Sequence, residues 1–263
     1  MLNQYISRFK SENLKLNIID SSHNQLTNGI NIILNNKHRK KYILNVNLNL
    51  YILFFDEADL THKSFKPCYG FKRYYITATP FNMKVQFDNT IEITPPLNYY
   101  GLNELTVNVY DNDYSNVFQD FIDQKSGILL ITTFRFIETM IELSMMLSIK
   151  YPNLTFIVLN STVKQVNNGF VKIIKKQSIN KIIDNLQNES HIVFISHRLA
   201  SRGLSFVSSD YKRHLTHQIL KLNTNVVSNI QKTRLCGIYS SNLQLKLYVN
   251  CLKLFEKTTS YLI

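Results

Sequence analysis

The amino-acid sequence predicts an α/β fold with mainly parallel sheets, and three features of the chain support this class. Short apolar runs alternate with longer segments in which apolar residues recur at helical spacing. Several of the apolar runs end in polar residues, which is typical of parallel strands that end at a functional edge. The chain has 263 residues, 44% of them hydrophobic, which is enough for one large core or two modest ones.

The first part of the chain contains four apolar runs that predict strands. They lie near residues 30–34, 50–55, 73–77 and 84–93. Pro95 and Pro96 then interrupt the pattern, and Gly101 follows closely, which indicates a connecting segment. We therefore expect three regions along the chain: a first domain at 1–95, a linker at 96–115 and a second domain at 116–263.

The second part restarts with a regular alternation of strands and helices. Strands are predicted at 127–133, 154–159 and 191–195, and helices at 134–150 and around 178–187. Pro152 ends the first of these helices, because the residue before a proline is disfavoured in the helical conformation. This order of elements predicts half of a doubly wound sheet.

The chain is strongly basic. Its 30 Lys and Arg residues against 18 Asp and Glu residues give a net charge of +12. This charge favours a polyanionic partner, and nucleic acid before a membrane. The alternative is a generally basic composition without a specific partner, since Asn, Ile, Lys and Tyr are all abundant, as AT-rich coding sequences produce.

The cysteine pattern and the absence of long apolar runs bear on the compartment. Cys68, Cys236 and Cys251 are too few and too scattered for a disulfide framework or a zinc site. No apolar run reaches the ~18 residues that a membrane span needs, and the N-terminus lacks the apolar core of a signal peptide. We therefore expect a soluble protein in a reducing intracellular compartment, without a membrane partner.

An acidic run at 56–59 follows one of the predicted strands. The apolar residues 51–55 lead directly into Asp56, Glu57, Ala58 and Asp59. In many nucleoside triphosphatases an aspartate at the end of such a strand binds Mg²⁺, and the neighbouring glutamate positions the attacking water. The pattern therefore predicts Asp56 as the Mg²⁺ ligand and Glu57 as the general base or water-positioning residue. The alternative for so short a string is a solvated acidic turn.

A second apolar run ends at Thr77, Ala78 and Thr79, with Pro80 after them. Because neighbouring parallel strands end at the same edge of a sheet, both runs would deliver their polar residues to one edge. The two threonine hydroxyls would then couple the nucleotide state to the second domain through hydrogen bonds. Alternatively, the threonines mark a strand end followed by a helix N-cap, a role that Thr and Pro also suit.

Two basic segments in the second part contain candidate phosphate-binding residues. Arg202 stands beside Gly203 after a predicted strand, where a backbone can approach a phosphate closely. Farther on, Gln231 and Arg234 belong to a segment whose arginine could reach across an interdomain cleft to a γ-phosphate and stabilise transition-state charge. The alternatives are a basic loop at 202–203 and a solvated helix arginine at 234.

The order of these segments resembles that of the superfamily 2 helicases of the DEAD/DEAH-like group. The matching segments are 56–59 for motif II, 77–79 for motif III, 127–133 for motif IV, 200–203 for motif V and 231–237 for motif VI. The resemblance covers about residues 50–240. Residues 202–217, with the segment after Arg234, look especially like helicases of large DNA viruses and phages.

The resemblance implies two RecA-like domains with mainly parallel sheets, ATP and Mg²⁺ as cofactors, and DNA or RNA as the partner. It also implies a role for each matched position. The catalytic residues are Asp56, Glu57 and Arg234, the nucleotide-binding residues are Asp56, Arg202, Gly203 and Gln231, and the coupling residues are Asp59, Thr77 and Thr79. Within this set, Asp56 would hold the Mg²⁺.

The sequence departs from the family at several points. It contains no Gly-x-x-x-x-Gly-Lys-Ser/Thr phosphate loop, and Gly29 is the only glycine before the acidic run. The basic cluster at 37–41 has no glycine cradle, so we interpret it as a solvated or nucleic-acid-facing patch. In motif VI, Thr233 replaces the usual glycine and the spacing from Gln231 is one residue short, while in motif V Ser205 stands where many relatives have Asp. These departures bear on both hydrolysis and coupling.

Three hypotheses accommodate the missing phosphate loop, and in each the first RecA-like domain is incomplete. In the first, the chain is the C-terminal part of a split helicase, and a separate chain supplies the loop. In the second, it is a non-catalytic remnant that binds nucleic acid or a partner. In the third, it is a truncated reading frame.

The histidines and the aromatic residues are expected to have ordinary structural roles. His214 and His217 have a spacing that one helical turn can use for a metal, but no Cys, Asp or Glu cluster accompanies them, so surface or arginine contacts are favoured. The 16 Phe and 15 Tyr residues lie mostly inside apolar runs, so we expect them in cores instead of stacked on bases.

Overall fold

A computed structural model describes residues 16–19, 25, 30–33, 52–56, 72–76, 89–91, 94–132, 136–160, 162–174, 177–196, 205–239 and 244–260. The chain divides into two compact units, Met1–Ile91 and Glu92–Ile263. The segment 96–115, predicted as a linker, belongs to the second unit. It contributes two strands and the start of a helix there.

The described part of the first unit consists of two parallel strand pairs. β1 (Leu16–Ile19) pairs with β2 (Ile30–Ile33), and β3 (Ile52–Asp56) pairs with β4 (Lys72–Ile76). The strands predicted near 30–34, 50–55 and 73–77 are thereby confirmed. The one predicted at 84–93 lies largely outside the described residues, and its residues 89–91 are not in a strand.

The second unit is a mixed α/β structure with a 3-10 turn at Leu102–Glu104. Its strands are β5 (Tyr99–Tyr100), β6 (Thr106–Val109), β7 (Gly127–Ile131), β8 (Thr155–Leu159), β9 (Val163–Asn167), β10 (Phe170–Ile174), β11 (His191–Ser196), β12 (His217–Leu220), β13 (Gly237–Ile238) and β14 (Lys246–Val249). Its helices are α1 (Ser115–Ile122), α2 (Ile137–Lys150), α3 (Ile179–Asn185), α4 (Val226–Lys232) and α5 (Leu252–Thr259).

Eight of these strands form one sheet in the order β10-β9-β8-β11-β7-β12-β14-β6. The six strands from β8 to β6 are parallel, whereas β9 and β10 form an antiparallel hairpin at one edge. The remaining strands, β5 and β13, pair with each other. The predicted α/β class is confirmed by this mostly parallel sheet.

The central strands are buried on both faces, because helices cover each side. Along β7, Leu129 and Ile131 pack with the residues of α1 and α2, on what we call the first face. Ile128 and Leu130 point the other way and pack with α3 and α5, on the second face. This alternation follows from the period of two along a strand. It also explains why such strands appear as continuous apolar runs in the sequence.

Gly127 begins β7 at a position that has no room for a side chain. A Cβ atom there would lie 2.6 Å from Thr216 Oγ1 and 2.8 Å from the Phe121 ring. The close approach of α1 to the amino edge of the sheet therefore depends on this glycine.

Candidate functional site

The acidic run is positioned by the paired strands β3 and β4. Asp56 is the last residue of β3 and lies opposite Ile76, the last residue of β4, in a parallel register. The two strands therefore end at one edge of their sheet, as the sequence predicts. A carboxylate is an oxygen ligand of the kind that Mg²⁺ prefers, so the residue type at this strand end fits the predicted metal.

Most of the other predicted site residues lie outside the described residues. They are Glu57, Asp59, Thr77, Thr79, Arg202 and Gly203. The basic cluster at 37–41 lies outside them as well. The roles assigned to these residues therefore stay predictions. Gln231 and Arg234 are described, and both are half-buried in the second unit.

The connections of the eight-stranded sheet change face beside the carboxyl end of β7. The chain leaves β7 for α2 on the first face, whereas it leaves the neighbouring β12 for α4, whose Ile230 packs on the second face. Adjacent strands whose connections run to opposite faces leave a crevice outside their carboxyl ends, where ligands bind in such sheets. Lys221 follows β12 at this edge and is exposed.

The hydroxyl groups at this edge have partners within the sheet. Thr132 Oγ1 donates a hydrogen bond to Ile219 O at 3.0 Å, and Ser196 Oγ donates to Leu159 O at 3.3 Å. Both side chains are buried. These bonds link neighbouring strands, so Thr132 and Ser196 stabilise this edge of the sheet.

The turn that carries Arg234 is fixed to the sheet by Gln218, a buried residue of β12. Gln218 Nε2 donates to Lys232 O at 2.7 Å, and Gln218 Oε1 accepts from Arg234 N at 2.7 Å. One amide side chain therefore satisfies a backbone acceptor and a backbone donor at the end of α4. The position of the Arg234 backbone is set by these two bonds.

The segment after Arg234 is held from the other side by Tyr239. The Tyr239 hydroxyl donates to Leu235 O at 2.5 Å, and its ring packs edge-on against Tyr100 with 5.4 Å between centroids. Gly237 in β13 pairs with Tyr100 in β5, within the segment predicted as a linker. Burial and the nearby Glu104 raise the pKa of the Cys236 thiol to about 12, although Arg234 lowers it. Cys236 is therefore a protonated thiol at neutral pH.

A second set of amides fixes α4 itself. Asn229 Nδ2 donates to Asn223 O at 2.8 Å and to Thr258 Oγ1 at 3.1 Å, and its Oδ1 accepts from Asn223 N at 3.1 Å. At the start of the helix, the Asn225 side chain accepts from Ser228 N. These asparagines and Gln218 were not predicted from the sequence. The sequence offers only a weak signal for them, since His217 and Gln218 are two polar residues at the start of a four-residue strand.

A charged cluster lies at the opposite, amino edge of the sheet. Asp120 of α1 accepts from Lys246 Nζ at 2.5 Å and from the Tyr248 hydroxyl. Although burial raises it, the hydrogen bonds from Lys246 and Tyr248 bring the pKa of Asp120 below its ordinary value. His217 Nε2 lies 3.9 Å from Asp120 Oδ2 and is buried without a hydrogen-bond partner. Burial lowers the pKa of His217 to about 4, so the ring is neutral at pH 7.

The two histidines that were considered as a metal pair do not share a helical turn. His217 is the first residue of β12, whereas His214 forms an isolated bridge with Val207 and packs against Tyr239. Within the described ranges, no group of three or more His, Cys, Asp or Glu side chains could hold a metal ion. The two cysteines described, Cys236 and Cys251, are both free thiols.

No helix in the described portion of the chain is both long and apolar enough to cross a membrane. Comparisons with protein-family models, with curated proteins and with solved structures returned no match.

Proposed function

We propose that this chain is a superfamily 2 helicase-like protein that binds DNA or RNA, built on two RecA-like domains of which the first is incomplete. At the level of the family, it couples ATP hydrolysis to unwinding or translocation. The observation that carries the proposal is the parallel pairing of β3 with β4. This pairing places Asp56, the last residue of β3, opposite Ile76, which directly precedes Thr77 in the sequence. The mostly parallel sheet of the second unit and the two hydrogen bonds that hold the turn at Arg234 add support.

Each of three residues has a distinct role in the proposed hydrolysis. Asp56 holds Mg²⁺, which neutralises charge on the β- and γ-phosphates. Glu57 orients the attacking water and takes up its proton. Arg234 stabilises the charge that develops on the transferred phosphoryl group, and Gln218 fixes the position of its backbone.

The phosphate loop is the part of the proposed machinery that these 263 residues do not contain. Loss of its contacts removes positioning and charge stabilisation at the β- and γ-phosphates, so hydrolysis falls by many orders of magnitude. The proposal therefore requires a Gly-Lys-Ser/Thr loop from outside these residues, which a separate polypeptide would supply. The basic character of the chain, at +12, supports nucleic acid as the other partner.

The missing loop also favours a second candidate function, in which the chain binds nucleic acid or a protein partner without hydrolysing ATP. For the chain by itself we prefer this candidate. It retains the helicase-like scaffold and the basic surface and requires no nucleotide.

A nucleic-acid-stimulated ATPase assay separates the two candidates. The full chain is assayed alone and together with the product of the adjacent upstream reading frame, with and without single-stranded DNA and RNA. We expect no turnover by the chain alone, and turnover by the mixture if the upstream product supplies the loop. Turnover that is absent from both, with nucleic-acid binding retained, contradicts the enzymatic candidate and leaves the binding candidate.

Variants test whether any turnover comes from the proposed residues. Glu57→Gln keeps the shape of the side chain but cannot take up a proton, so it should abolish hydrolysis while nucleotide binding remains. Arg234→Lys keeps the charge but loses the planar fork of the guanidinium. The matched control is Lys253→Gln, an exposed residue of α5. Equal activity of all three variants contradicts the assignment of these residues.

A further inference from the structure

The hairpin β9–β10 forms one edge of the eight-stranded sheet, and its outer strand β10 is largely exposed. Asn168 and Gly169 form its two-residue turn, and both have positive φ, at 47° and 78°, as a tight hairpin turn requires. Gly169 N also donates to Ser148 Oγ of α2 at 2.8 Å. Within the described residues, β10 has β9 as its sheet neighbour on one side and no neighbour on the other. The hairpin is therefore anchored, and its outer strand is open.

The outer strand carries unusually large exposed side chains. Phe170 is 81% exposed beside the turn, and Ile173 is 68% exposed farther along. Side chains alternate along a strand, so Phe170 and Lys172 lie on the second face and Ile173 on the first. Lys172 is exposed and two positions from Phe170, roughly 6.6 Å along the strand. An exposed aromatic ring and an exposed ammonium group thus share one face.

The stretch of sequence that contains this hairpin carries charge of one sign. Residues 143–183 contain six lysines and neither an arginine nor an acidic residue, a gap that runs from Glu142 to Asp184. The lysines in this stretch are Lys150, Lys164, Lys172, Lys175, Lys176 and Lys181. Such a segment complements a polyanion.

We propose that this hairpin is a docking surface for single-stranded nucleic acid, in which a base stacks on Phe170 and Lys172 binds a neighbouring phosphate. The inference rests on the proposed function and names the part of the protein surface that holds the single-stranded nucleic acid. Stacking on an aromatic side chain is tolerant of sequence, since every base has a flat face, and the lysine adds a phosphate contact. Phe170 is already exposed beside a turn that is hydrogen-bonded to Ser148, which limits the ordering that binding requires of the protein.

A second copy of the chain is the competing occupant of an open apolar edge. A two-fold pairing of β10 with itself, centred on the middle of the strand, would place the two copies of Lys172 opposite each other. Like charges in directly opposed positions destabilise a strand pair. The charge of this edge therefore favours a polyanion over self-association.

The test measures binding of fluorescently labelled oligothymidine and oligouridine to the full chain by anisotropy, at low and at physiological salt. Phe170→Leu keeps an apolar side chain but removes the flat ring, and should weaken binding by about fivefold or more. Lys172→Glu should weaken binding and reduce its salt dependence. Lys253→Glu, also an exposed lysine, is the matched charge control, and Ile173→Asn is the control on the opposite face. Both controls should bind close to the level of the unmodified chain.

The outcomes separate this inference from the proposed function. If the unmodified chain binds both oligonucleotides but Phe170→Leu and Lys172→Glu bind equally well, nucleic-acid binding stands and the hairpin site is wrong. If the unmodified chain shows no salt-dependent binding, the nucleic-acid function itself fails, and the hairpin site fails with it. Concentration-dependent dimerisation in analytical ultracentrifugation that Ile173→Asn abolishes, without any effect of Lys172→Glu on oligonucleotide binding, would assign the edge to a second copy.

Discussion

Two adjacent residues of β12, His217 and Gln218, place polar side chains on opposite faces of the same sheet. Both are buried, with 1% and 0% of their surface exposed. Gln218 has hydrogen-bond partners for both polar atoms, on the turn that carries Arg234. His217 has Thr216 Oγ1 at 2.8 Å from its Nδ1, but its Nε2 is buried without a partner and faces Asp120 at 3.9 Å.

The two side chains differ in the hydrogen bonds that they can make. A neutral amide offers donors and an acceptor together, so it fixes a backbone turn and does not change with pH. An imidazole beside a carboxylate changes its charge and its hydrogen bonding when it is protonated. We therefore expect the second face at β12 to supply rigidity to the Arg234 segment, and the first face to supply a pH-dependent contribution to stability.

Replacing Gln218 should have the largest effect. Gln218→Leu removes the hydrogen bonds that its side chain makes to Lys232 O and Arg234 N in a half-buried turn, and each lost bond costs ~1 to 3 kcal/mol, or about 4 kcal/mol together. The free energy of unfolding, measured by urea titration with circular dichroism, should fall by that amount. In the ATPase mixture described above, the variant should also lose the contribution of Arg234.

The control for this prediction is a polar residue whose hydrogen bond is exposed to solvent. Asn180→Leu removes an exposed hydrogen bond to Ser209 Oγ at 3.2 Å and should leave the free energy of unfolding nearly unchanged. If Gln218→Leu unfolds at the same urea concentration as the unmodified chain, the two bonds to the turn are not holding it, and the comparison between the two faces fails.

The hydrogen bonds that Gln218 makes to the turn could not be predicted from the sequence. Gln218 contacts a backbone group 16 residues away, and Asn229 contacts the hydroxyl of Thr258, 29 residues away. No local sequence pattern encodes these contacts. The central strands β7, β8 and β11 were predicted because continuous apolar runs follow from burial on both faces. The edge hairpin was not predicted, because its strands mix Lys, Gln and Asn with apolar residues and the hairpin-turn signal of Asn168 and Gly169 was not used.

The pH dependence of stability should reveal the contribution of His217, on the first face of the sheet. The pKa of His217 is lowered from 6.5 to about 4 in the folded chain, so between these values the unfolded state binds a proton that the folded state does not. Stability contributed by His217 is therefore present above pH 6.5 and decreases as the pH falls to about 4. The full decrease is on the order of 3 kcal/mol. Urea titrations at a series of pH values measure it.

His217→Leu isolates this contribution from other titrating groups. The variant cannot take up a proton, so its stability should vary less between pH 6.5 and pH 4 than that of the unmodified chain. Asp120 acts in a different window, because its lowered pKa means that its contribution decreases only below the ordinary value of 3.8. Identical pH profiles for the variant and the unmodified chain would show that the histidine is not held neutral.

The ion pair of Asp120 with Lys246 should have an intermediate effect. Asp120→Asn leaves the ammonium group of Lys246, which is 14% exposed, without its anionic partner. We expect a loss of about 2 kcal/mol in the free energy of unfolding at pH 7, since a largely buried charge has lost its compensation. Asp113→Asn removes an exposed partner of Lys150 and is the matched control, with a much smaller expected change.

The smallest of the expected effects concerns the far side of the Arg234 segment. Tyr239→Phe keeps the ring that packs against Tyr100 and His214 but removes the hydroxyl that donates to Leu235 O. Because Gln218 still fixes the turn before Leu235, the loss should be about 1 kcal/mol, which is typical of one buried hydrogen bond. The double variant, Tyr239→Phe with Gln218→Leu, tests whether the hydrogen bonds of Gln218 and of Tyr239 stabilise the segment together. Losses that simply add would show that they hold independent parts of the segment, whereas a larger combined loss would show that the turn and β13 form one rigid support for Arg234.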